Sequence, residues 1–433
     1  PMCSNLREKG YPRRTFKPKQ ETLFHDNDNR FIPTSPAIVY TTGSLLGKKT
    51  NFIQRQRQLT PEGFFQGLVF AQLAHCQASR YQIHEFVTYA GDNLTRQALD
   101  KRFTYRTMTF LEAMLGELLC LQVEDLQAQQ GLLSYFNGVY VVDGTRLTCG
   151  EKLLTRLNLQ IGCVTFERVG VNVHDNGVEL AHQCLPKGSL RLADLGFFDL
   201  AHFEQDNQDG IYWISRYKTG TYLLSPQTQD PIDVLNLLQQ HDCLYMPVLV
   251  GKDKQVPAYL VAQRVSEQTA QHRRDKHIHH SQRKQQAVSK TYLDLSEWTI
   301  YLTNIPDLEV EAIVALAHMR WQIENVFKLW KSEMGLDLPQ SKDLIRQYCL
   351  FLAKLIAIWL AHALMSVASE VNRSWKRALR VIRQHALLAI FALTSYEAWV
   401  AFLDQLAISL QQLISMDKRK KRPLSFQALL KYP

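Results

Sequence analysis

From Ala317 to Lys331 the chain reads Ala-His-Met-Arg-Trp-Gln-Ile-Glu-Asn-Val-Phe-Lys-Leu-Trp-Lys. Wound as a helix at about 100° per residue, this stretch brings Arg320, Glu324 and Lys331 within roughly 40° of one another. Ile323, Val326, Phe327 and Trp330 form the neighbouring apolar stripe. A carboxylate bracketed by two cations suits chemistry on a phosphodiester backbone, where an acid holds a divalent ion and cations hold phosphate oxygens. An exposed helix face carrying an i,i+4 ion pair has the same pattern, so the helix alone does not decide. Two further acids stand where apolar runs end. Asp143 closes Val139 to Val142 and is followed by Gly144-Thr145; Asp194 closes Leu190 to Ala193 and is followed by Leu195-Gly196-Phe197-Phe198. An acid at the end of a buried strand is poorly solvated unless a cation or a hydrogen-bond donor meets it. Capping of the following turn is the rival explanation for each. Taken together, the three acids form a set suited to Mg²⁺, a hard ion that takes one or two carboxylates, water and phosphate oxygens. Two such ions about 3.5–4 Å apart would activate an attacking oxygen and stabilise a leaving one. No Walker loop, H-E-x-x-H or Ser-His-Asp order competes.

Elements able to position these residues can be read from periodicity. Residues 1–44 are polar, basic and aperiodic, which predicts an arm. Thr60-Pro61-Glu62 predicts a helix start, with apolar residues following at Phe64, Leu68, Val69 and Leu73. Further helices are expected around Ile83 to Tyr89 and, after Gly91-Asp92-Asn93, from Thr95 through Arg102. A Gly turn between short helices, the later one bearing Arg96, Lys101 and Arg102, fits a DNA-reading helix-turn-helix as well as a plain helical bundle. Strand character begins at Val139 and recurs at 160–167, 169–174, 190–193 and 210–216, with a helix expected over 197–205. From Thr221 to about Asn304 the reading is mostly β, and helix dominates from Leu308 onward. The expected organisation is an arm (1–44), a helical DNA-binding domain (45–135), an α/β core (136–220 and 305–345), a β-rich insertion (221–304) and a C-terminal helical region (346–433).

Composition narrows the partners. The 433 residues carry a formal net charge of +9, with 46% hydrophobic and 21% charged residues. Positive charge is clustered: Arg7, Lys9, Arg13, Arg14, Lys17 and Lys19 face only Glu8, residues 271–290 hold six Lys or Arg against Asp275, and 418–422 is an unbroken basic run. Such clusters suit a polyanion, because each phosphate neutralised releases counterions, although solvated tails look similar. His272, His277, His279 and His280 lie in one of them without a Cys partner, which favours a flexible phosphate-contacting arm over a zinc site. Eight cysteines without C-x-x-C spacing read as reduced core residues, among them Cys76, Cys120, Cys163 and Cys349, and hence as cytosolic. No apolar h-region marks a leader. Tyr348 to Ala368 imitates a membrane span but contains Lys354 and His362, so a buried helix is expected and no membrane partner.

The motifs VVDGT around Asp143, LADLGFFD around Asp194 and R-x-x-x-E-x-x-x-x-x-x-K from Arg320 to Lys331 occur in order, with TNIP at Thr303 to Pro306 ahead of the last. In this the chain resembles the DDE transposases of the insertion-sequence "IS-four" family over about residues 45–433. The resemblance implies an α/β fold with a ribonuclease-H-like mixed sheet flanked by helices, a β-rich insertion between the second Asp and the Glu, and helical N- and C-terminal regions. It implies that Asp143, Asp194 and Glu324 bind two Mg²⁺ or Mn²⁺ ions and are catalytic. Arg320, Lys331 and Lys328 would then hold DNA, with Arg96 and Arg102 added from the helical domain. In relatives one tryptophan of the insertion and one beside the box arginine handle a flipped base, and Trp298 and Trp321 occupy comparable places. Trp298 also reads as plain strand core. One departure stands out: Ala317 replaces the family tyrosine of the box, with His318 about 100° round the helix.

The expected activity is therefore cleavage and joining of double-stranded DNA at the element's inverted repeats and at a target. The expected setting is a homodimer in a synaptic complex, in a bacterial cytoplasm and near the nucleoid. The competing expectation is a metal-dependent nuclease on the same core that cuts without joining. A non-catalytic DNA-binding descendant is disfavoured by the three intact acids.

Overall fold

The computed structural model describes residues 36–54, 58–120, 131–147, 152–169, 184–367 and 374–413. The basic clusters at 1–20 and 418–422, and the strand expected over 170–174, lie outside them. The described residues fall into two compact units. The first takes those before position 128, those between 144 and 173, and those from 323 onward; the second takes those between 129 and 143 and between 174 and 322. In chain order the helical segment comprises α1 (Pro36–Lys49), α2 (Pro61–Ala74), α3 (Arg80–Tyr89), α4 (Arg96–Asp100) and α5 (Tyr105–Cys120). There follow β1 (Val139–Arg146), β2 (Lys152–Asn158), β3 (Val164–Val169), β4 (Leu190–Ala193), α6 (Leu200–Asp209), β5 (Tyr212–Arg216) and β6 (Leu223–Leu224). Next come α7 (Val234–Gln239), β7 (Cys243–Val250), β8 (Val256–Arg264), α8 (Glu267–Arg283), α9 (Lys290–Asp294) and β9 (Trp298–Thr303). The last are α10 (Val310–Met319), α11 (Trp321–Ser332), α12 (Leu344–Met365), α13 (Trp375–Ala392) and α14 (Tyr396–Leu413).

The second unit is built on a mixed sheet in the order β1-β4-β5-β9-β8-β7-β6. β1, β4 and β5 are parallel, and each later pairing is antiparallel. Parallel strands need both faces covered, and both are: Trp213, Leu260, Ala262 and Leu302 pack with Phe203 of α6 on one side, while Val261 and Tyr301 are buried on the other. Phe203 stacks on Trp213 at 4.1 Å between ring centroids. Arg191 of β4 and Asp206 of α6 form a buried bidentate pair, Nε–Oδ2 2.9 Å and Nη2–Oδ1 3.1 Å. The segment expected to be mostly β contributes β6, β7, β8 and β9 to this same sheet, and it also contains α7, α8 and α9. The phosphate-contacting arm expected at 271–290 is largely the helix α8, capped by Ser266. Only Ala270 and Ser281 of it are buried, so its apolar periodicity is too weak to announce a helix.

The first unit is helical around α2 and α12, both apolar on nearly every face. Thr60 caps α2 by accepting from the Gly63 amide at 2.9 Å. The close approach of α3 requires glycine at position 67, where a Cβ would lie 2.4 Å from Val87 Cα. α12 is the membrane-like segment, and it runs through the interior with 94% of its apolar window buried. Its His362 accepts from Trp330 Nε1 at 3.0 Å and bonds the Gly162 carbonyl through Nδ1 at 2.8 Å, which fixes a neutral tautomer. β2 and β3 pair as an antiparallel hairpin in this unit. Of the cysteines named from sequence, Cys349 is buried and Cys76 and Cys163 are half-buried, while Cys184 and Cys243 are exposed. The helix expected from Thr95 through Arg102 is shorter: α4 spans five residues and Arg102 lies beyond it. Asp100, which ends α4, is held by Arg80 and Arg346. Arg96 and Arg102 are exposed cations without a shared helix face.

Removing one partner of a buried ion pair leaves the other charge unmet, a loss of about 3–5 kcal/mol. Asp206→Ala is expected to lower unfolding stability by about that amount in urea titration. Asp92, buried and accepting from the Thr60 amide and hydroxyl, has its carboxyl pushed up from 3.8 to about 6 by burial. The folded chain therefore holds a proton that the unfolded chain releases, and that stabilisation is lost as pH rises from about 4 through about 6. Asp92→Asn, compared with the parent by thermal melting across pH 4–7, should gain relative stability over that window and then level off.

Candidate active site

The geometry of the site begins with strand register. Val142 of β1 faces Ala193 of β4 in a parallel ladder, so Asp143 and Asp194 follow side by side where that ladder ends, Asp143 still within β1 and Asp194 just past β4, on strands about 4.8 Å apart. Asp194 sits before a short 3-10 turn over Leu195–Phe197, and its carboxylate makes no capping hydrogen bond; only its carbonyl accepts, from Phe197 N–H at 2.9 Å. Capping therefore does not account for this acid. It is half-buried at the open edge of the sheet. Asp143 retains 20% side-chain exposure and faces Arg320, 16% exposed, at 3.4 Å between Oδ2 and Nη1.

Arg320 lies at a break that helical periodicity did not anticipate. α10 ends at Met319 and α11 starts at Trp321, with Arg320 between them donating its amide to the Ala317 carbonyl at 3.3 Å. Residues 317–331 thus form two helices that meet at Arg320, whose own backbone stays in the right-handed helical region at φ −49° and ψ −34°. Glu324 is half-buried in the first turn of α11 and belongs to the first unit, whereas both aspartates belong to the second. Among the described residues no three His, Cys, Asp or Glu side chains are grouped to hold a metal. That finding also covers the histidines of α8, where His277 stacks on Tyr292 at 4.1 Å. The donors at the sheet edge are carboxylate oxygens, and a pair of them on adjacent strands fits a hard divalent ion, which usually completes its shell with water and phosphate.

A cavity of about 300 Å³ in the second unit is lined by Ala193, next to Asp194, and by Arg216, Tyr301, Ala317, His318, Arg320 and Trp321. Arg216 and Tyr301 were not singled out from sequence. Arg216 ends β5, the third parallel strand, and the rule that ligands gather at the carboxyl ends of parallel strands would have found it. The Tyr301 phenol is pushed up by burial, opposed by Arg216, and it occupies the same cavity as Ala317. His318 is held below its ordinary value by desolvation and by Arg216 and Arg273, so its imidazole stays neutral.

The two tryptophans separate clearly. Trp298 is 5% exposed in the sheet core, with the Arg264 guanidinium 5.2 Å from its ring, the placement that the strand-core reading expects. Trp321 is 58% exposed at the cavity mouth. Lys331 donates to the Arg146 carbonyl at 2.6 Å and pairs with Asp337 at 3.2 Å; Lys328 is exposed on the same helix.

A mixed α/β unit thus carries two acids where the parallel ladder ends, beside a cavity lined by cations and aromatic rings, the region of such sheets where ligands gather. A family model described as a transposase DDE domain matches residues 138–360, more than half of the chain and inclusive of all three acids. The chain belongs to that family, the DDE transposases. It is 26% identical to the transposase for insertion sequence element IS231F of Bacillus thuringiensis subsp. israelensis, over 74% of this chain and 78% of the relative. Identity is 23% to the transposase for IS1151 of Clostridium perfringens, over 75% and 78%. For the transposase for IS231D of B. thuringiensis subsp. finitimus it is 25%, over 87% and 88%.

Of the seven tryptophans, all but Trp321 are buried. Acrylamide quenching of tryptophan fluorescence should therefore be largely lost in Trp321→Phe and little changed in Trp298→Phe; the opposite ranking would reverse the assignment of the exposed ring.

Proposed function

We propose that this transposase binds the terminal inverted repeats of its insertion sequence and cuts and joins DNA strands there. Membership of the family makes it a DNA-cleaving and DNA-transferring enzyme. The observation that carries the finer reading is the pair Asp143 and Asp194 on adjacent parallel strands, the second without a capping role. The sheet and its flanking helices are consistent with a ribonuclease-H-like core.

In this reading Asp143, Asp194 and Glu324 hold Mg²⁺ or Mn²⁺, and a pair of such ions would supply activation of the attacking oxygen and stabilisation of the leaving one. Asp143 and Asp194 present oxygen donors from a rigid sheet edge, which suits a reaction needing fixed geometry. Arg320, beside Asp143, is placed to exchange its long contact with that carboxylate for a shorter charge-assisted bond to a phosphate oxygen. Lys331 and Lys328 add phosphate contacts from α11. Trp321, exposed beside Arg320, offers a stacking face for a base drawn out of the duplex, and Tyr301 and His318 give the same cavity polar groups where Ala317 has none. Water would be the first nucleophile and the freed 3′ hydroxyl the second, and two subunits would hold the two ends together on bacterial DNA.

Asp143→Ala, Asp194→Ala and Glu324→Ala are each expected to lower cleavage of a duplex bearing the flanking inverted repeat by more than about 100-fold, beyond the loss of an outer-shell partner. Duplex binding without added metal should persist. Parental cleavage in any of them would remove that residue from the site. A strand-transfer assay with a pre-cut end and Mg²⁺ separates the two activities: joined products support transposition, and cleavage without joining supports a nuclease.

A further inference from the structure

Lys354 lies in the middle of α12 and is 2% exposed. Its ammonium donates to the carbonyls of Gly335 at 2.6 Å and Leu338 at 3.2 Å. These two carbonyls bracket a turn just beyond α11. The same turn is tied by Leu336 N–H to the Trp330 carbonyl and Leu338 N–H to the Gly335 carbonyl, each at 3.0 Å. It also needs glycine at 335, where φ is +59° and a Cβ would meet Cys76 Sγ at 2.8 Å. Burying an ammonium in an apolar helix is costly, and an apolar residue of similar volume commonly serves stability as well. Burial draws the Lys354 pKa down to about 8, so the charged form still dominates at neutral pH. Its charge therefore calls for a use beyond packing.

The turn carries Asp337. Its Oδ2 is 3.2 Å from Lys331 Nζ, and Lys331 in turn donates to the carbonyl of Arg146, three residues after Asp143 in β1. A free lysine side chain carries large rotamer entropy, and ordering it before a ligand arrives removes part of the penalty of binding. The geometry points to a positioning device: Lys354 fixes the turn, the turn fixes Asp337, and Asp337 holds the Lys331 ammonium in place for a DNA phosphate. Lys354 and Asp337 are positioning residues in this scheme and touch no substrate. The inference rests on the reading of Lys331 as a phosphate contact and extends it to two residues that no motif contains.

A double-mutant cycle tests it, with affinity for a fluorescent duplex bearing the flanking inverted repeat, and cleavage of that duplex, as readouts. Lys331→Gln is expected to weaken binding about tenfold, and Lys354→Met and Asp337→Asn about three- to tenfold each. In the Lys331→Gln background neither should weaken binding further, because both act through Lys331. Lys354→Arg, which keeps the charge, should restore most of the affinity lost in Lys354→Met. A purely structural role predicts that the losses multiply in the Lys331→Gln background and follow the melting temperature, and that result would overturn the device. Asp337→Asn keeps the side chain's size at a half-buried position, so it carries the test even where Lys354→Met fails to fold. Should Lys331→Gln bind and cleave like the parent, the phosphate role of Lys331 falls and the device with it. A parent protein that binds Lys331-dependently but cleaves nothing would instead count against the proposed reaction alone.

Discussion

The parallel ladder between β1 and β4 is the constraint on which the site depends. Its register sets Val142 opposite Ala193, and because side chains alternate along a strand, a slip of one residue would turn one aspartate to the other face. That register is held by burial on both sides of the sheet. Val139, Val141, Val142, Leu190 and Leu192 are all at or below 1% exposure, so no alternative pairing would keep them dry. The apolar core and the acidic edge are thus one arrangement seen from two ends. The core tolerates two partly solvated acids because they fall where the parallel ladder ends, and Arg191 of β4 is met inside by Asp206 of α6.

Charge is managed differently along the chain. Three buried ionisable groups of the first unit have oxygen or nitrogen partners: Lys354 two carbonyls, Asp92 the Thr60 amide and hydroxyl, and His362 a carbonyl and an indole N–H. At the cavity of the second unit the balance runs the other way. Arg216, Arg320 and the neutral His318 surround Tyr301, and Arg273 adds positive potential from α8 while its guanidinium donates to the Trp298 carbonyl at 2.8 Å. The Arg320 guanidinium lies 3.4 Å from the Asp143 carboxylate beside this cavity.

How much of this was readable beforehand depended on the kind of signal. Asp143 and Asp194 were visible because an acid abruptly ends an apolar β-branched run, and α2 because a capping threonine precedes proline. The break at Arg320 was not: no Gly or Pro marks it, and apolar spacing carries on through Leu316, Met319 and Ile323 as though the helix were continuous. α8 was hidden by its polarity, since helical periodicity is a burial signal and most of this helix buries little. α4 was read too long because Lys101 and Arg102 continue a favourable composition past the point where Phe103 and Thr104 turn the chain. Trp298 could be assigned only with coordinates, because strand alternation allowed either face and the Arg264 guanidinium over its ring comes from a neighbouring strand. Arg216 was missed for a different reason. It belongs to no motif and becomes meaningful only once β5 is known to lie parallel to β4.

β5 and β9 are hydrogen-bonded neighbours, Ile214 facing Thr303 and Arg216 facing Tyr301. The long excursion between them therefore departs and returns at adjacent points of one sheet. Closing such a loop depends only weakly on how many residues it contains, so a change in its length need not disturb the pairing of the two strands. Its boundary condition is the doorway formed by the two strands, whose spacing is indifferent to the size of the room behind it.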